Sequence, residues 1–232
     1  MKILGIDEAG RGAVIGPLVV CGVLVDESGE DRLRKLGVKD SKELSPKKRE
    51  ELAKEIEKIA QNIVILFVPA SKIDANRRRG INLNQIEAIK MAEIINMLEP
   101  EKAIIDTPSY NSNKFKIYLT SKLKNKNIEL ICENFADKNY PVVSTASIIA
   151  KVERDKRIEK LKRKVGFDFG VGYSHDERTI EFLEKLAKET KGKMPSYVRK
   201  TWETTIQITD EIKQRKIFEF FKKLKKMLGK KS

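Results

Sequence analysis

Four carboxylates stand at or just beyond the ends of apolar runs in this sequence. They are Asp7, Glu8, Asp106 and Asp137. The runs are typical of buried strands, and strands of one sheet can end at a common edge, so folding can gather acids that are far apart in the chain. Crowded carboxylates raise one another's pKa, and such a cluster normally holds a divalent cation. Because oxygen ligands with no His or Cys nearby suit Mg²⁺ or Mn²⁺ better than zinc, the acids predict a site for those ions.

Such a site would support phosphodiester chemistry. Two ions about 4 Å apart activate a water molecule and stabilise the leaving oxygen in an in-line displacement. Taken singly, however, Asp106 or Asp137 is better explained as a helix cap or a turn residue. The Asp7-Glu8 pair alone is also compatible with an ordinary exposed strand end, so the acids by themselves leave both interpretations open.

Gly10, Arg11 and Gly12 form a glycine-rich loop directly after the first acidic pair. Glycines on both sides of Arg11 let bare backbone approach a ligand closely, as a sugar-phosphate chain would require. Successive side chains of a strand point to opposite faces, so Asp7 and Glu8 can reach one ion only if the strand ends or bulges there. Ala9 and Gly10 make such a break our expectation.

A helix predicted to begin at Ser144 offers a candidate phosphate site. Ser144, Ser147 and Lys151 share one face near its amino terminus, where free amides and the helix dipole favour an anion. A capped helix with a solvated lysine explains the same pattern. The basic run from Arg77 to Arg79 is interpreted as a solvated turn.

Strands and helices alternate along the chain, which predicts an α/β fold. Strands are expected around the first acidic pair, after Gly16-Pro17, and at residues 63–68, 103–106 and 129–133. Helices are expected after the cap Ser45, from Asn82 to about Glu99, and at residues 144–165 and 177–191. A Lys-rich helical tail is expected from about Thr209. Ligands of such sheets collect beyond strand ends, which is where the acids lie.

The composition indicates a polyanionic partner. The chain has 232 residues, with 48 Lys and Arg against 34 Asp and Glu, and a formal net charge of +14. Abundant Lys and Glu with scarce His is also typical of heat-adapted proteins. No apolar stretch approaches the roughly 18 residues of a membrane span, and the chain begins with a strand rather than a signal peptide, so we expect a cytoplasmic protein. Cys21 and Cys132 lie in apolar runs and are expected to be reduced core thiols.

Five ordered blocks of sequence resemble the type 2 ribonucleases H, specifically ribonuclease HII of the archaeal kind. They are GIDEAGRG, DSKELS, IIDTPSYN, DKNYPVVSTASIIAKVERD and DFGVGYSHDERT. The resemblance implies a ribonuclease H-like mixed sheet flanked by helices, with a C-terminal helical extension. The expected division is a catalytic domain at residues 1–170 and a helical subdomain with a basic tail at 171–232. Ala13 stands where the family often has Pro, and Ser174-His175 where Pro-Ser is expected.

The resemblance also implies an activity and a site. The activity is metal-dependent cleavage of RNA in RNA/DNA hybrids and at single ribonucleotides embedded in duplex DNA, leaving a 3′-hydroxyl and a 5′-phosphate, as serves DNA replication and repair. Asp7, Glu8, Asp106 and Asp137 would be both catalytic residues and metal ligands. The substrate-binding residues would be Gly10, Arg11, Gly12, Lys42, Ser144, Ser147, Lys151 and Tyr173.

Two elements of that site would select RNA. In the family, the backbone of the glycine-rich loop reads the 2′-hydroxyl, and the tyrosine matching Tyr173 stacks on the next deoxyribose. As isolated residues, Arg11 and Lys42 would be surface charges, and Tyr173 would be a loop aromatic tucked into the core. His175 has no ligand-like partner in sequence and is given no catalytic role.

The carboxyl-terminal tail carries a partner-binding pattern. Gln214, Ile217, Phe220 and Phe221 match the spacing by which peptides bind a replication sliding clamp. On one helical turn the last three would form an apolar knob that fits a partner's pocket. The same spacing would let the tail pack on its own catalytic domain, so both interpretations stay open. We expect a monomer.

Two other function classes compete with a ribonuclease H. One is a basic nucleic-acid-binding module without catalysis, and the other is a nuclease of related fold, such as a junction resolvase. Activity on hybrids as against branched DNA discriminates among them.

Overall fold

The computed structural model describes residues 1–38 and 44–214 and is built on a five-stranded sheet. The strands are β1 (Lys2–Ala9), β2 (Leu18–Asp26), β3 (Asn62–Val68), β4 (Lys102–Asp106) and β5 (Glu129–Glu133). Their order across the sheet is β3-β2-β1-β4-β5. β1, β2 and β3 pair antiparallel, whereas β4 is parallel to both β1 and β5. The predicted mixed sheet is confirmed.

Helices cover both faces of this sheet. They are α1 (Glu27–Lys35), α2 (Pro46–Ile59), α3 (Ala70–Arg78), α4 (Leu83–Leu98), α5 (Ser112–Thr120), α6 (Ala136–Asn139), α7 (Pro141–Val165) and α8 (Glu177–Glu189). Residues 203–214 are also helical. Helix α7 packs on β1 and β2 with α1 and α2 beside it, and α4 packs on the opposite face beside α3 and α5.

Alternation along β1 divides its side chains between two cores. Ile3 and Ala9 join the core under α7, whereas Leu4 and Ile6 join the core under α4. The period of two in an extended strand produces this division. Gly5 brings α7 close to the strand, since a Cβ at Gly5 would lie 2.4 Å from the carbonyl of Val142. The start of α7 therefore lies directly on β1, next to the acids at its end.

A third core joins the carboxyl-terminal part of the described chain to the segment that follows β1. Phe169, Leu183 and Val198 pack with Val14 and Ile15. Main-chain bonds support the contact, since the amide of Gly16 donates to the carbonyl of Tyr197 at 2.9 Å. The loop after β1 is thus held between the sheet and the later part of the chain.

Local capping signals set two helices as expected. The Ser45 hydroxyl accepts a hydrogen bond from the Lys48 amide at the start of α2. Asn82 and Gln85 form a reciprocal capping box at the start of α4. These bonds satisfy amides that have no partner inside a helix, so the sequence identifies both starts.

Other boundaries differ from expectation. Helix α7 begins at Pro141, three residues before Ser144, because proline suits the first helical position, where no amide hydrogen bond is lost. Arg77 and Arg78 end α3 instead of forming a turn. Helices α1, α3, α5 and α6 were not predicted, although Asp26 and Asn111 accept amide hydrogen bonds as the caps of α1 and α5.

Both cysteines of the chain lie within strands of the sheet. Cys21 is buried, Cys132 is partly buried, and both are free thiols. Within residues 1–38 and 44–214, no helix combines the length and apolar character of a membrane span.

Candidate active site

Three of the four predicted acids meet at one edge of the sheet. Asp7, Asp106 and Asp137 each place a carboxylate oxygen within 4.8 Å of the others. Asp7 and Asp137 are buried, and Asp106 is half-buried. The group has the oxygen-only ligand set that suits a hard divalent cation.

Parallel pairing of β1 with β4 brings Asp7 and Asp106 together. The register pairs Ile6 with Ile105, so the next position on each strand carries an aspartate. Ile104 packs under α7, and by alternation Asp106 points to that same face, as Asp7 does. Two carboxylates from neighbouring strands therefore converge on the α7 side of the sheet.

Asp106 also positions the third acid. Its Oδ1 accepts a hydrogen bond from the amide of Ala136 at 2.9 Å. Ala136 opens the short helix α6, and Asp137 follows it directly. Phe135, before them, has a left-handed backbone with φ 61°, which turns the chain from β5 towards the sheet edge. The sequence brings Asp137 into the site through this turn.

Glu8 follows Asp7 at the end of β1, and its carboxylate interacts with those of Asp7 and Asp106. The strand ends at Ala9, directly before Gly10 as expected, and it stays paired with β2 up to that point through Glu8–Val20 and Ala9–Val19. Alternation then directs Glu8 towards α4, where its main like-charged neighbour is Glu87. Burial, followed by the charge of Glu87, raises the pKa of Glu8 to about 8. Glu8 adjoins the cluster across the strand end.

The electrostatics of the cluster favour a bound cation. Burial, and then the charges of Glu8 and Asp106, raise the pKa of Asp7 well above its ordinary value, whereas a hydrogen bond from Ser147 lowers it. Among the described residues, Asp137 Oδ1 and Glu8 Oε2 are buried without a hydrogen-bond partner. Unpaired buried carboxylate oxygens are costly, and a divalent ion would satisfy them. The residues present fit such an ion.

The glycine-rich loop is fixed beside the acids. Gly10 has φ +87°, and a Cβ there would meet the Arg154 side chain and the Pro17 carbonyl within 2.7 Å, so only glycine suits the position. Gly12, by contrast, is exposed, and a Cβ there would meet nothing within 4 Å. The loop thus packs tightly at its first glycine and presents open backbone at its second.

Arg199 holds the main chain of the loop through hydrogen bonds to its carbonyls. Its guanidinium donates to the carbonyls of Arg11 and Gly10, each at 2.6 Å, and to the Gly16 carbonyl at 3.3 Å. The side chain is wholly buried. Burial lowers its pKa to about 9. A buried guanidinium is stable there because the carbonyls satisfy its donors.

Tyr173 lies next to the same loop. Ala13 and Tyr173 form an isolated β-bridge, and the amides of Val14 and Ile15 donate to the carbonyl of Gly172. The tyrosine ring is half-buried, with the Arg154 guanidinium carbon 4.5 Å from its centroid. The adjacent His175 ring stacks on it at 5.4 Å. The residues that depart from the family pattern are thus in contact with this aromatic.

The predicted phosphate-binding face of α7 is directed partly inward. Ser144 and Ser147 are buried, and Ser147 bonds to Asp7. Lys151 is partly exposed and paired with Asp155 at 2.7 Å. Because α7 begins at Pro141, Ser144 lies within its first turn rather than before it. Of the three residues, Lys151 lies nearest the surface.

Some sequence predictions fall outside the described residues. Lys42, Ile217, Phe220 and Phe221 are among them. Gln214 is the last described residue of the helical stretch 203–214 and is exposed.

Three buried charged residues at the site were missed in the sequence: Glu87, Arg154 and Arg199. Glu87 left a usable signal, because it shares the helical spacing of the apolar residues Met91, Ile94 and Leu98. A carboxylate within an apolar stripe needs a partner. Arg154 left the same kind of signal, since it lies four residues from the buried Ala150 and Ile158 on α7. Arg199 left none, because it lies outside the helices and strands and its partners are distant in the chain.

Comparison with known proteins places this geometry in a family. The family model described as Ribonuclease HII matches residues 4–205. Ribonuclease HII of Pyrococcus furiosus is 44% identical over 229 residues, covering 96% of this chain and 100% of the relative. The crystal structure of ribonuclease H2 from Pyrococcus horikoshii OT3 is 42% identical with a TM-score of 0.83, covering 92% of this chain and 99% of that one. The RNase HII of Archaeoglobus fulgidus, solved in a PCNA:RNase HII complex, is 46% identical with a TM-score of 0.78, covering 88% and 96%.

Proposed function

The chain belongs to the ribonuclease HII family, and we propose that it is an endoribonuclease that hydrolyses the RNA strand of RNA/DNA hybrids and single ribonucleotides embedded in duplex DNA. The products are a 3′-hydroxyl and a 5′-phosphate. The observation that carries the proposal is the convergence of three aspartates within 4.8 Å, beside a loop with open backbone.

Asp7, Asp106 and Asp137 would hold Mg²⁺ or Mn²⁺, with Glu8 contributing from the other side of the strand end. Such ions, when bound, supply an activated water and stabilise the leaving oxygen. The chain's own residues orient the ligands: Ser147 bonds to Asp7, and Asp106 holds the amide of Ala136. These bonds fix the orientation of the Asp7 and Asp106 carboxylates that would hold the ion.

The loop from Gly10 to Gly12 and the ring of Tyr173 would select the ribonucleotide. A 2′-hydroxyl both donates and accepts hydrogen bonds, and exposed backbone at Gly12 offers groups to pair with it. Tyr173 stands beside this loop through its bridge to Ala13 and would stack on the adjacent deoxyribose. Lys42, Lys151 and the residues Ser144 and Ser147 at the start of α7 would bind the nucleic acid backbone.

Beyond the catalytic site, we propose that the tail binds a sliding clamp. The Archaeoglobus fulgidus relative is in a complex with PCNA. This chain carries Gln214, Ile217, Phe220 and Phe221 at the matching spacing. We further propose the division into residues 1–170 and 171–232, a monomeric state and a cytoplasmic location.

A comparison of substrates tests the main proposal. Purified protein is assayed with Mg²⁺ or Mn²⁺ on three duplexes: an RNA/DNA hybrid, DNA containing one ribonucleotide, and branched all-DNA. Cleavage of the first two is expected. Preferential cleavage of branched DNA would identify a resolvase, and binding without cleavage would identify a non-catalytic module.

A further inference from the structure

Glu87 is a fully buried carboxylate that the activity described above does not use. It lies on α4, and its side chain is 0% exposed. Its Oε2 accepts a hydrogen bond from Nη1 of Arg11, a residue 76 positions earlier in the chain. The second nitrogen, Nη2, donates to Asn84 Oδ1 at 2.6 Å. Two residues one turn apart on α4 therefore receive the two ends of one guanidinium.

These two bonds direct the Arg11 side chain towards α4 and away from the exposed backbone of Gly12. Only 32% of the side chain is exposed. A buried carboxylate is retained only when a partner compensates its charge, and the planar guanidinium fork fixes the direction of both bonds. Arg11 thus links the loop to α4 through its hydrogen bonds to Glu87 and Asn84.

Helix α4 is a rigid support for the Arg11 side chain. A capping box fixes its first turn, and Ile86, Met91 and Ile94 are buried in the core beneath the sheet. On the other side of the loop, Arg199 holds the carbonyls of Gly10 and Arg11. The side chain of Arg11 and the main chain around it are anchored to different parts of the fold. Between these anchors, Gly12 keeps its exposed backbone.

We propose that Glu87 is a positioning residue for ribose selection: by holding Arg11 against α4, it sets the conformation in which the loop from Gly10 to Gly12 reads the sugar. This inference rests on the proposed function, since it presumes that the loop contacts the 2′-hydroxyl. It assigns Arg11 to loop geometry rather than to a phosphate contact.

A different role for Glu87 would act through charge alone. Glu87 faces Glu8, and removing its charge would alter the ionisation of that acid. Such a role would shift the pH profile of cleavage equally on every substrate. Loop positioning instead predicts a loss that depends on the ribose.

The test compares Glu87→Gln with wild type, using Glu93→Gln as the matched control. Glu93 lies on the same helix, with a side chain 39% exposed and paired with Lys90. The substrates are a duplex with one ribonucleotide and the same duplex in all-DNA form. kcat and KM are measured on the first at several pH values, and affinity is measured on both.

Glu87→Gln is expected to lower kcat/KM on the ribonucleotide duplex about tenfold, with affinity for all-DNA kept within about twofold and Glu93→Gln unchanged. Arg11→Ala should cause a similar loss, and the double variant Arg11→Ala/Glu87→Gln should be no worse than Arg11→Ala, because residues acting through one contact are not additive. If Glu87→Gln is unstable by thermal unfolding, Asn84→Ala removes the other acceptor and should cause a smaller loss of the same kind.

Three results would overturn the proposal. The first is an unchanged kcat/KM in folded Glu87→Gln, and the second is additive losses in the double variant. The third is a shifted pH profile of cleavage in Glu87→Gln with an unchanged ratio of affinities for the two duplexes. A wild type that cleaves neither hybrid nor ribonucleotide duplex would overturn the proposed function as well, which distinguishes the two failures.

Discussion

Asp106 accepts the amide hydrogen of Ala136 at 2.9 Å, so one acid of the cluster holds the segment that carries the next, Asp137. The cluster is therefore a connected unit rather than a set of independent carboxylates. Bringing the acids together disfavours the charged form of Asp7, whose pKa is raised by burial and by the neighbouring charges of Glu8 and Asp106. Stability and activity should consequently respond in opposite directions when that charge is removed.

Asp7→Asn is expected to abolish cleavage while stabilising the protein in the absence of metal. Loss of one preorganised charge costs at least about 10²-fold in rate. The same change replaces a buried carboxyl whose charged form is disfavoured by burial and by the charges of Glu8 and Asp106, and each kcal/mol recovered raises the unfolding midpoint by about 2–4 °C in a chain of this size. Cleavage assays and thermal unfolding in EDTA check both effects. A variant that is inactive and also less stable would show that Asp7 supports the fold.

Metal-free protein should lose stability as pH rises from about 5 to about 8. The pKa values of Glu8 and Glu87 are raised to about 8 and about 7, mainly by burial, so the folded state binds more protons than the unfolded state across this window. Stability falls with pH wherever the folded state holds more protons. Unfolding midpoints in EDTA at several pH values measure the trend. Adding Mn²⁺ at pH 8 should restore the lost stability. An unfolding midpoint in EDTA that does not change with pH would contradict the raised pKa values of Glu8 and Glu87.

Tyr173→Ala is expected to weaken cleavage at single ribonucleotides flanked by DNA more than it weakens hybrid binding. A base stacked on an aromatic ring contributes about 1–3 kcal/mol, which sets the scale expected for stacking on Tyr173. Tyr173→Phe keeps the ring over Arg154 and should retain most activity. Steady-state kinetics on the ribonucleotide duplex, set against hybrid affinity, separate the two effects. Equal losses on both substrates would argue against junction reading.

Arg199→Lys should destabilise the protein and slow cleavage together. Lysine cannot reproduce the fork that bonds the carbonyls of Gly10 and Arg11, and hydrogen bonds from charged donors contribute about 1.5–3 kcal/mol each. Chemical denaturation gives the loss of stability, and kinetics well below the unfolding midpoint give the loss of rate. Wild-type activity in the folded variant would show that the loop does not need this anchor.

The sequence located the three aspartates because each follows an apolar run, and apolar runs that end at one sheet edge bring their next residues together. Glu8 was expected beside them, and its charge does act on Asp7, but its other buried neighbour, Glu87, comes from α4, and no local pattern indicates that contact. Arg199 contacts Gly10 across 189 positions, and no local pattern encodes such a contact. The helical spacing of Glu87 with Met91 was visible, but its partner Arg11 was not.

Clamp binding through the tail depends on residues whose chemistry is known only from the sequence. Ile217, Phe220 and Phe221 have the spacing of a single helical turn, and the surrounding Lys222, Lys223, Lys225 and Lys226 are basic. A clamp that encircles DNA would bring this basic tail and the duplex together, so apolar and electrostatic attraction would act on the same complex.

A pull-down with the organism's own clamp, comparing wild type with Phe220→Ala/Phe221→Ala, tests that prediction. Capture of the wild type and loss of capture in the double variant are expected, with cleavage of a short ribonucleotide duplex unchanged because the catalytic acids are untouched. Thermal unfolding separates the two roles of the aromatics. A double variant with a lowered unfolding midpoint would show that the rings pack on the catalytic domain, whereas an unchanged midpoint with lost capture assigns them to the partner. A folded wild type that does not bind the clamp would exclude this role for the tail.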